Sequence, residues 1–224
     1  MSIGRAAVEL LAKELRTEAR TRELLNTTVV FVLIVVVLFS FTFDPTAEES
    51  RRFGPGLLWL AFLFAGSLML NPSFSREQIN DTLYALRMAP VEPFGILLGK
   101  ILANFVFLMI AELLLLPVFA VLYNVRLVPV LGWLLLVMVL GTLGITVTGT
   151  AFSAISAQAR MRELLLPLLL LPVLTPVLIA SVEATVGLLA DPPEVRANWL
   201  KMLFGFDLIF LTVSYLLCEF LFEE

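Results

Sequence analysis

The chain has 224 residues, of which 60% are hydrophobic and only 15% are charged, and its mean hydropathy is +0.99. These values lie far outside the range of soluble domains and predict an integral membrane protein, while the net charge of −4 depends on too few residues to indicate a partner. The sequence has no histidine and one cysteine, Cys218, which excludes an intramolecular disulfide and removes the commonest metal ligand and general base.

The N-terminal segment, residues 3–25, has the pattern of an amphipathic helix. Apolar residues recur at helical spacing, and the pairs Glu9–Lys13 and Glu18–Arg22 support its polar face. The segment is predicted to lie in the membrane interface; a solvated arm without specific contacts is the alternative. Because it lacks an apolar core, no cleavable signal peptide is expected, and the first span would direct insertion.

Six later segments are long and apolar enough to cross a hydrocarbon core, which takes about 20 residues. They span residues 27–43, 55–74, 99–122, 130–156, 164–187 and 200–222. The connecting segments are too short for a soluble domain, so residues 1–224 are predicted to form a single transmembrane domain.

The basic residues are distributed unequally between the two membrane faces that this topology defines. Because cytoplasmic loops are enriched in lysine and arginine, the bias predicts that both termini are cytoplasmic. The cytoplasmic set is Arg5, Lys13, Arg16, Arg20, Arg22, Arg76, Arg87, Lys100, Arg160 and Arg162; the opposite set is Arg51, Arg52, Arg126, Arg196 and Lys201.

The fourth and fifth spans have distinctive compositions. Small residues at four-residue spacing in the fourth span, such as Thr142, Thr146 and Thr150, favour close helix packing over a polar pathway for substrate. The fifth span contains Pro167, Pro172 and Pro176, which predicts a kinked or locally unwound helix.

Residues 75–90, between the second and third spans, read as a short helix that Pro90 ends. Ile79, Leu83 and Leu86 form a narrow apolar stripe, and the remaining surface carries Arg76, Glu77, Asn80, Asp81 and Arg87. Such a helix is too short to span the bilayer, so it is expected to lie on the cytoplasmic membrane surface or in a groove of a partner. An ordinary connecting loop is the alternative.

The stretch GILLGK, residues 95–100, does not meet the spacing of a phosphate-binding loop. Gly95 and Gly99 have three residues between them, and Ile101 follows Lys100 where serine or threonine is required. The chain is therefore expected not to hydrolyse ATP, and Lys100 is interpreted as a snorkelling lysine.

Among the acidic residues within the predicted spans, Glu112, Asp207 and Glu219 are candidates for a role inside the membrane. A charge at the bilayer centre costs about 2.5–3.5 kcal/mol on insertion scales, so each must be neutralised, paired or hydrated. Glu112 either lines a cavity or pairs in a switch, or it is a protonated acid bonded to the small polar residues of the fourth span. The second interpretation is favoured because no cationic residue lies at its depth.

Several stretches, in order, resemble one known family. LWLAFLFAGSLMLN, FSREQINDTLYALRMAP, LGKILANFVFLMIAELLLLPVFAVLYN and ELLLPLLLLPVLTPVLIASVEA are similar to the CcmB family, the permease subunit (haem exporter protein B) of the cytochrome c maturation ATP-binding cassette complex. The chain departs from the family at 78–82, where a more acidic stretch ending in glycine is usual.

The resemblance implies an all-α, six-helix permease of the ABC-2 type in the bacterial inner membrane. It implies a cytosolic ATP-binding subunit (CcmA-like), a second copy of this chain, and the haem-handling CcmC-like, CcmD-like and CcmE-like proteins as partners. ATP and magnesium would bind the ATPase and the complex would handle haem, while this chain binds no cofactor. Residues 75–90 would receive force from the ATPase, with Arg160, Arg162 and Glu163 as a second contact or a solvated turn.

Two other functions compete with this one. A self-contained secondary transporter would use a midplane site around Glu112 and an inverted repeat. An intramembrane enzyme would need a nucleophile beside a base, and the sequence has no Ser/His or Cys/His set.

Overall fold

The computed structural model describes residues 3–42, 47–70, 92–156 and 162–222. These ranges form seven α-helices and one short 3₁₀ helix and contain no strand. The α-helices are α1 (Ile3–Thr21), α2 (Glu23–Thr42), α3 (Ala47–Leu70), α4 (Pro93–Leu122), α5 (Leu131–Ser156), α6 (Arg162–Leu189) and α7 (Ala197–Phe222), and the 3₁₀ helix is Val128–Val130.

Six segments of these helices are long and apolar enough to cross a membrane. They are Glu23–Phe41, Arg52–Leu70, Pro93–Leu122, Val128–Ser156, Leu168–Leu189 and Ala197–Cys218. The protein is therefore an all-α, multi-pass membrane protein with six spanning helices, as the composition predicts. The end of the bundle that holds α1 and the start of α4 is called the α1 end below.

The helix α5 lies at the centre of the bundle. It packs against α3, α4, α6 and α7, and more than half of its spanning segment is buried. By contrast, α2 and α7 bury less than a fifth of theirs and turn apolar side chains such as Phe41, Phe204 and Leu216 outward. That outer surface suits contact with lipid.

Small residues let the neighbours of α5 approach its backbone, as the sequence predicts. A Cβ atom at Gly141 would lie 2.6 Å from Cζ3 of Trp59 and 2.7 Å from Oγ of Ser181. One turn later, a Cβ at Gly144 would lie 3.2 Å from a methyl group of Val177. These contacts confirm the close packing of the fourth span.

The proline-containing helix α6 is helical without interruption from Arg162 to Leu189. The local unwinding considered for it is therefore wrong, and the kink stays a prediction. At the end of α6 remote from α1, the guanidinium of Arg196 donates to the Glu183 carboxylate and the Glu194 amide donates to the Gly187 carbonyl at 2.8 Å. These bonds fix the tight turn into α7.

We expect Gly141→Ala to destabilise the bundle by about 1–3 kcal/mol, because the new methyl group meets the Trp59 ring and Ser181 in a close-packed contact. The measurement is the unfolding midpoint in lipid nanodiscs, followed by tryptophan fluorescence. Gly205→Ala in α7 is the control, since nothing lies within 4 Å of a Cβ there. Equal midpoints for the two variants would contradict this packing.

Candidate functional site

The helix α1 docks on the first two turns of α4. A Cβ at Gly95 would lie 3.1 Å from Cβ of Ala6, and one at Gly99 would lie 2.8 Å from Cβ of Leu10 and 3.0 Å from the Ala7 carbonyl oxygen. Two glycines four residues apart form a shallow groove in which a second backbone can lie. The GILLGK stretch is thus a helix-packing motif, a role that the sequence reading missed.

An ion pair closes this contact between α1 and α4. Nζ of Lys100 donates to Oε1 of Glu14 at 2.9 Å, and the Lys100 side chain is only 4% exposed. The interpretation of Lys100 as a snorkelling lysine is therefore wrong: α1 covers the ammonium group and supplies its counter-charge.

The same pair controls the ionisation of Glu14. Burial raises the pKa of this carboxyl, but the ammonium groups of Lys100 and then Lys13 outweigh burial and hold the pKa below its usual value of 4.5. Because the folded pKa is the lower one, the ion pair stabilises the docked helix fully above about pH 4.5. It loses this contribution as the pH falls through the folded pKa.

The joint between α1 and α2 is also fixed by a buried carboxylate. Arg22 adopts the left-handed backbone conformation, with φ of 54°, and ends α1. The Glu18 side chain, 2% exposed, then accepts a hydrogen bond from the Leu25 amide at 2.9 Å and so satisfies a free amide in the first turn of α2. A solvated arm without specific contacts is therefore wrong for α1.

Inside the membrane, Glu112 is completely buried and bonded to α5. The Thr142 hydroxyl lies 2.8 Å from Oε1 and 2.7 Å from Oε2 of this carboxyl. A hydroxyl has only one hydrogen to donate, so a neutral acid that donates from its second oxygen fits these distances best. The geometry supports the structural interpretation, in which Glu112 bonds to the fourth span.

A polar residue that the sequence reading missed reinforces the contact of α4 with α5. Nδ2 of Asn104 donates to Oγ1 of Thr150 at 3.0 Å. Lys100, Asn104 and Glu112 stand at intervals of four and eight residues; at about 100° per residue the helix turns by about 120° between Lys100 and Glu112, so Lys100 faces α1 while Glu112 faces α5. That spacing of polar groups in an apolar span was the available signal.

A second set of hydrogen bonds holds α3 in place. The Trp59 indole N–H donates to Oγ1 of Thr185 on α6 at 3.0 Å. The Ser153 hydroxyl of α5 donates to the carbonyl oxygen of Leu70, the last residue of α3, at 2.7 Å. The end of α3 from which residues 71–91 depart is therefore attached to the central helix.

Of the other two acids predicted within the spans, Asp207 has a described side chain and Glu219 does not. Asp207 lies in α7, is 5% exposed and approaches the α5 backbone at Gly144, where a Cβ would lie 2.9 Å from its Oδ1. Glu219 belongs to the last turns of α7, and its side chain lies outside the described residues.

The predicted coupling residues stand mostly outside the described ranges. This applies to Arg76, Glu77, Ile79, Asp81, Leu83, Leu86, Arg87, Pro90 and Arg160. Arg162 and Glu163 begin α6, but their side chains are not described. The structure does show where the segment connects, because α3 ends at Leu70 and α4 begins at Pro93, both at the α1 end.

Six spanning helices, a docked first helix and polar groups bonded between helices define an all-α, multi-pass membrane protein without a soluble domain in the described part of the chain. The chain belongs to the CcmB protein family, whose model matches residues 5–219. It is similar to the heme exporter protein B of Rhodobacter capsulatus, 34% identical over 78% of this chain and 79% of the relative. It is also similar to the heme exporter protein B of Pseudomonas aeruginosa, 33% identical over 87% of each chain.

We expect the charge reversal Glu14→Lys to release α1, because it places two ammonium groups together in a buried contact. Breaking a buried pair costs about 3–5 kcal/mol, and the partial exposure of Glu14, 22%, favours the lower figure. About 3 kcal/mol corresponds to roughly 100-fold faster hydrogen exchange in residues 3–21.

The double variant Glu14→Lys with Lys100→Glu restores opposite charges and should recover slow exchange. Glu9→Lys makes the same charge change on the outer face of α1, where Glu9 is 57% exposed, and should leave the exchange rate nearly unchanged. If the double variant exchanges as fast as Glu14→Lys alone, the ion pair does not hold α1.

Proposed function

We propose that this chain is the membrane permease subunit of an ATP-driven complex in cytochrome c maturation, and that the complex handles haem. The observation that carries the proposal is the CcmB family match over residues 5–219, together with similarity over most of the chain to relatives named heme exporter protein B. Every described spanning helix packs against α4 or α5. A force that a partner applies to either helix would therefore reach the whole bundle, as expected for a subunit that is moved by a partner.

The proposal assigns the α1 end to the cytoplasm of the bacterial inner membrane. Arg16, Arg20 and Arg22 lie exposed on α1 and the joint that follows it, close to the starts of α2 and α4. At the opposite end, Arg196 is engaged by Glu183 and Glu194. Among the described residues, five exposed basic side chains lie at the α1 end (Arg5, Lys13, Arg16, Arg20 and Arg22) and three at the opposite end (Arg52, Arg126 and Lys201), a bias in the direction expected for the cytoplasmic face.

In this orientation, residues 75–90 meet a cytosolic CcmA-like ATPase and pass its motion to the bundle. The segment leads directly into α4, which carries α1 on Gly95, Gly99 and Lys100. Through Glu112 and Asn104, α4 is also bonded to α5. A displacement of the segment would thus move α1, α4 and α5 together, with Arg162 and Glu163 at the start of α6 as a second contact.

ATP and magnesium belong to the partner in this proposal, because residues 95–100 lack phosphate-loop spacing and form a packing groove. The complex would contain a second copy of the chain and CcmC-like, CcmD-like and CcmE-like proteins. Since the sequence has no histidine, the usual axial ligand of haem, we favour ATP-driven release of haem-loaded CcmE from CcmC over a haem channel through this chain.

We expect Leu83→Asp combined with Leu86→Asp to detach the ATPase while membrane insertion is unchanged, because the two charges interrupt the apolar stripe of residues 75–90. The measurement is the amount of ATPase that co-purifies with the chain from membranes. Asn80→Asp with Ala85→Asp is the control, since it adds the same charge away from the stripe. An intact complex in the Leu83/Leu86 variant would remove this segment from the coupling mechanism.

Glu112→Gln separates the permease from a secondary transporter with a midplane site. Because the Thr142 hydroxyl can donate to a carboxamide oxygen as it does to a neutral acid, we expect cytochrome c maturation to fall less than twofold. Glu112→Leu, which removes the hydrogen bond, should reduce the amount of folded protein. Loss of maturation in Glu112→Gln with normal protein levels would support a transport role for the Glu112 charge instead.

A further inference from the structure

Asp207 and Ser181 lie in the contact of α5 with α7 and α6, Thr148 lies on α5 itself, and all three side chains are buried without hydrogen-bond partners in the described structure. Asp207 of α7, Ser181 of α6 and Thr148 of α5 are 5%, 0% and 1% exposed. Both carboxyl oxygens of Asp207, Oγ of Ser181 and Oγ1 of Thr148 have no partner in the described structure. Buried polar groups in proteins are normally hydrogen-bonded, so the missing partners of these three side chains need a physical explanation.

These groups follow a single face of α5. Oγ of Ser181 lies 2.7 Å from the Cβ position of Gly141, and Oδ1 of Asp207 lies 2.9 Å from that of Gly144. Positions 141, 144 and 148 recur at i, i+3 and i+7, so they form one stripe that is roughly 10 Å long at 1.5 Å per residue. We call Asp207, Ser181 and Thr148 the polar stripe.

The polar stripe lies near the middle of the membrane. Asp207 follows Ala197, the first residue of α7, by ten positions (207 − 197), which is roughly 15 Å along a helix and about half the hydrocarbon thickness. At that depth a side chain cannot reach bulk water without a change in helix packing.

No described basic side chain neutralises Asp207. The helix α7 packs against α4, α5 and α6, and α5 has no charged residue. The charged residues of the described spans of α4 and α6 are engaged elsewhere: Lys100 with Glu14, Glu112 with Thr142 and Glu183 with Arg196. On α7 itself, Lys201 is exposed and lies six residues away, on a different face of the helix.

We propose that Asp207 is a proton-binding site of the membrane domain. An ionised carboxylate without a counter-charge or hydrogen bond is far costlier in this apolar contact than a neutral acid, so the carboxyl holds a proton in the conformation seen here. It ionises when α5 and α7 separate and water enters along Ser181 and Thr148; the proton then leaves to that water. The site does not depend on the partners proposed above.

Infrared spectroscopy of the chain in lipid bilayers tests this directly. Incorporation of ¹³C-carboxyl aspartate shifts the bands of the four aspartates but of no glutamate, and Asp44, Asp81 and Asp191 lie outside the six spans. Aspartates in water are ionised at pH 7. We therefore expect one isotope-shifted neutral-acid C=O band at pH 7 in the unmodified protein.

Two variants assign that band. Asp207→Asn should abolish it, whereas Glu112→Gln, which alters the buried acid of α4, should leave it in place. Because the labelled wild-type spectrum needs no substitution, a folding defect in Asp207→Asn does not prevent the test. Isotope-shifted bands of ionised carboxylate alone at pH 7, or a neutral-acid band that persists in Asp207→Asn, would overturn the proposal.

Discussion

Inside a bilayer no water is available to satisfy a polar group, and this constraint makes α5 the helix on which the others depend. Its hydroxyl groups bond Glu112 and Asn104 of α4 and the terminal carbonyl of α3. Displacing α5 would leave all of these groups unpaired together, at a cost of about 1–3 kcal/mol for each neutral group. Because lipid is as apolar as the side chains, the arrangement of the bundle is specified by these hydrogen bonds together with the close packing at small residues such as Gly141 and Gly144.

The two faces of α5 differ in the hydrogen bonds that they offer to a buried acid. On the α4 side, Glu112 rests against Thr142 with both oxygens in contact. On the α7 side, Asp207 rests against Gly144 and has no hydrogen-bond partner in the described structure. Separating α4 from α5 would break the hydrogen bonds of Glu112. Separating α5 from α7 would instead let water hydrate the unbonded carboxyl of Asp207. In the proposed ionisation of Asp207, it is therefore the contact of α5 with α7 that opens, while the bonds of α5 to α4 stay in place.

Docking of α1 extends the bonded pair of α4 and α5 to the membrane surface. The groove at Gly95 and Gly99 takes up the apolar residues of α1, and the Glu14–Lys100 pair makes the fit dependent on charge. The basic residues of α1 thereby face outward, next to the points where residues 71–91 leave α3 and enter α4. A partner that engages this surface would act on α1 and α4 together.

Composition and one-dimensional periodicity were enough to predict the membrane class, six spans, an amphipathic first helix and close packing in the fourth span, because each depends on residue type and spacing along the chain; the family was indicated by the resemblance of several ordered stretches. They did not predict that Lys100 pairs with Glu14, that Gly95 and Gly99 receive α1, or that Ser181 and Thr148 join Asp207. Those contacts link residues as far apart as Gly99 and Ala7, which are 92 positions apart (99 − 7), and depend on the rotation and depth of each helix. Rotation and depth are decided only when all the helices pack at once, so the tertiary structure alone assigned these partners.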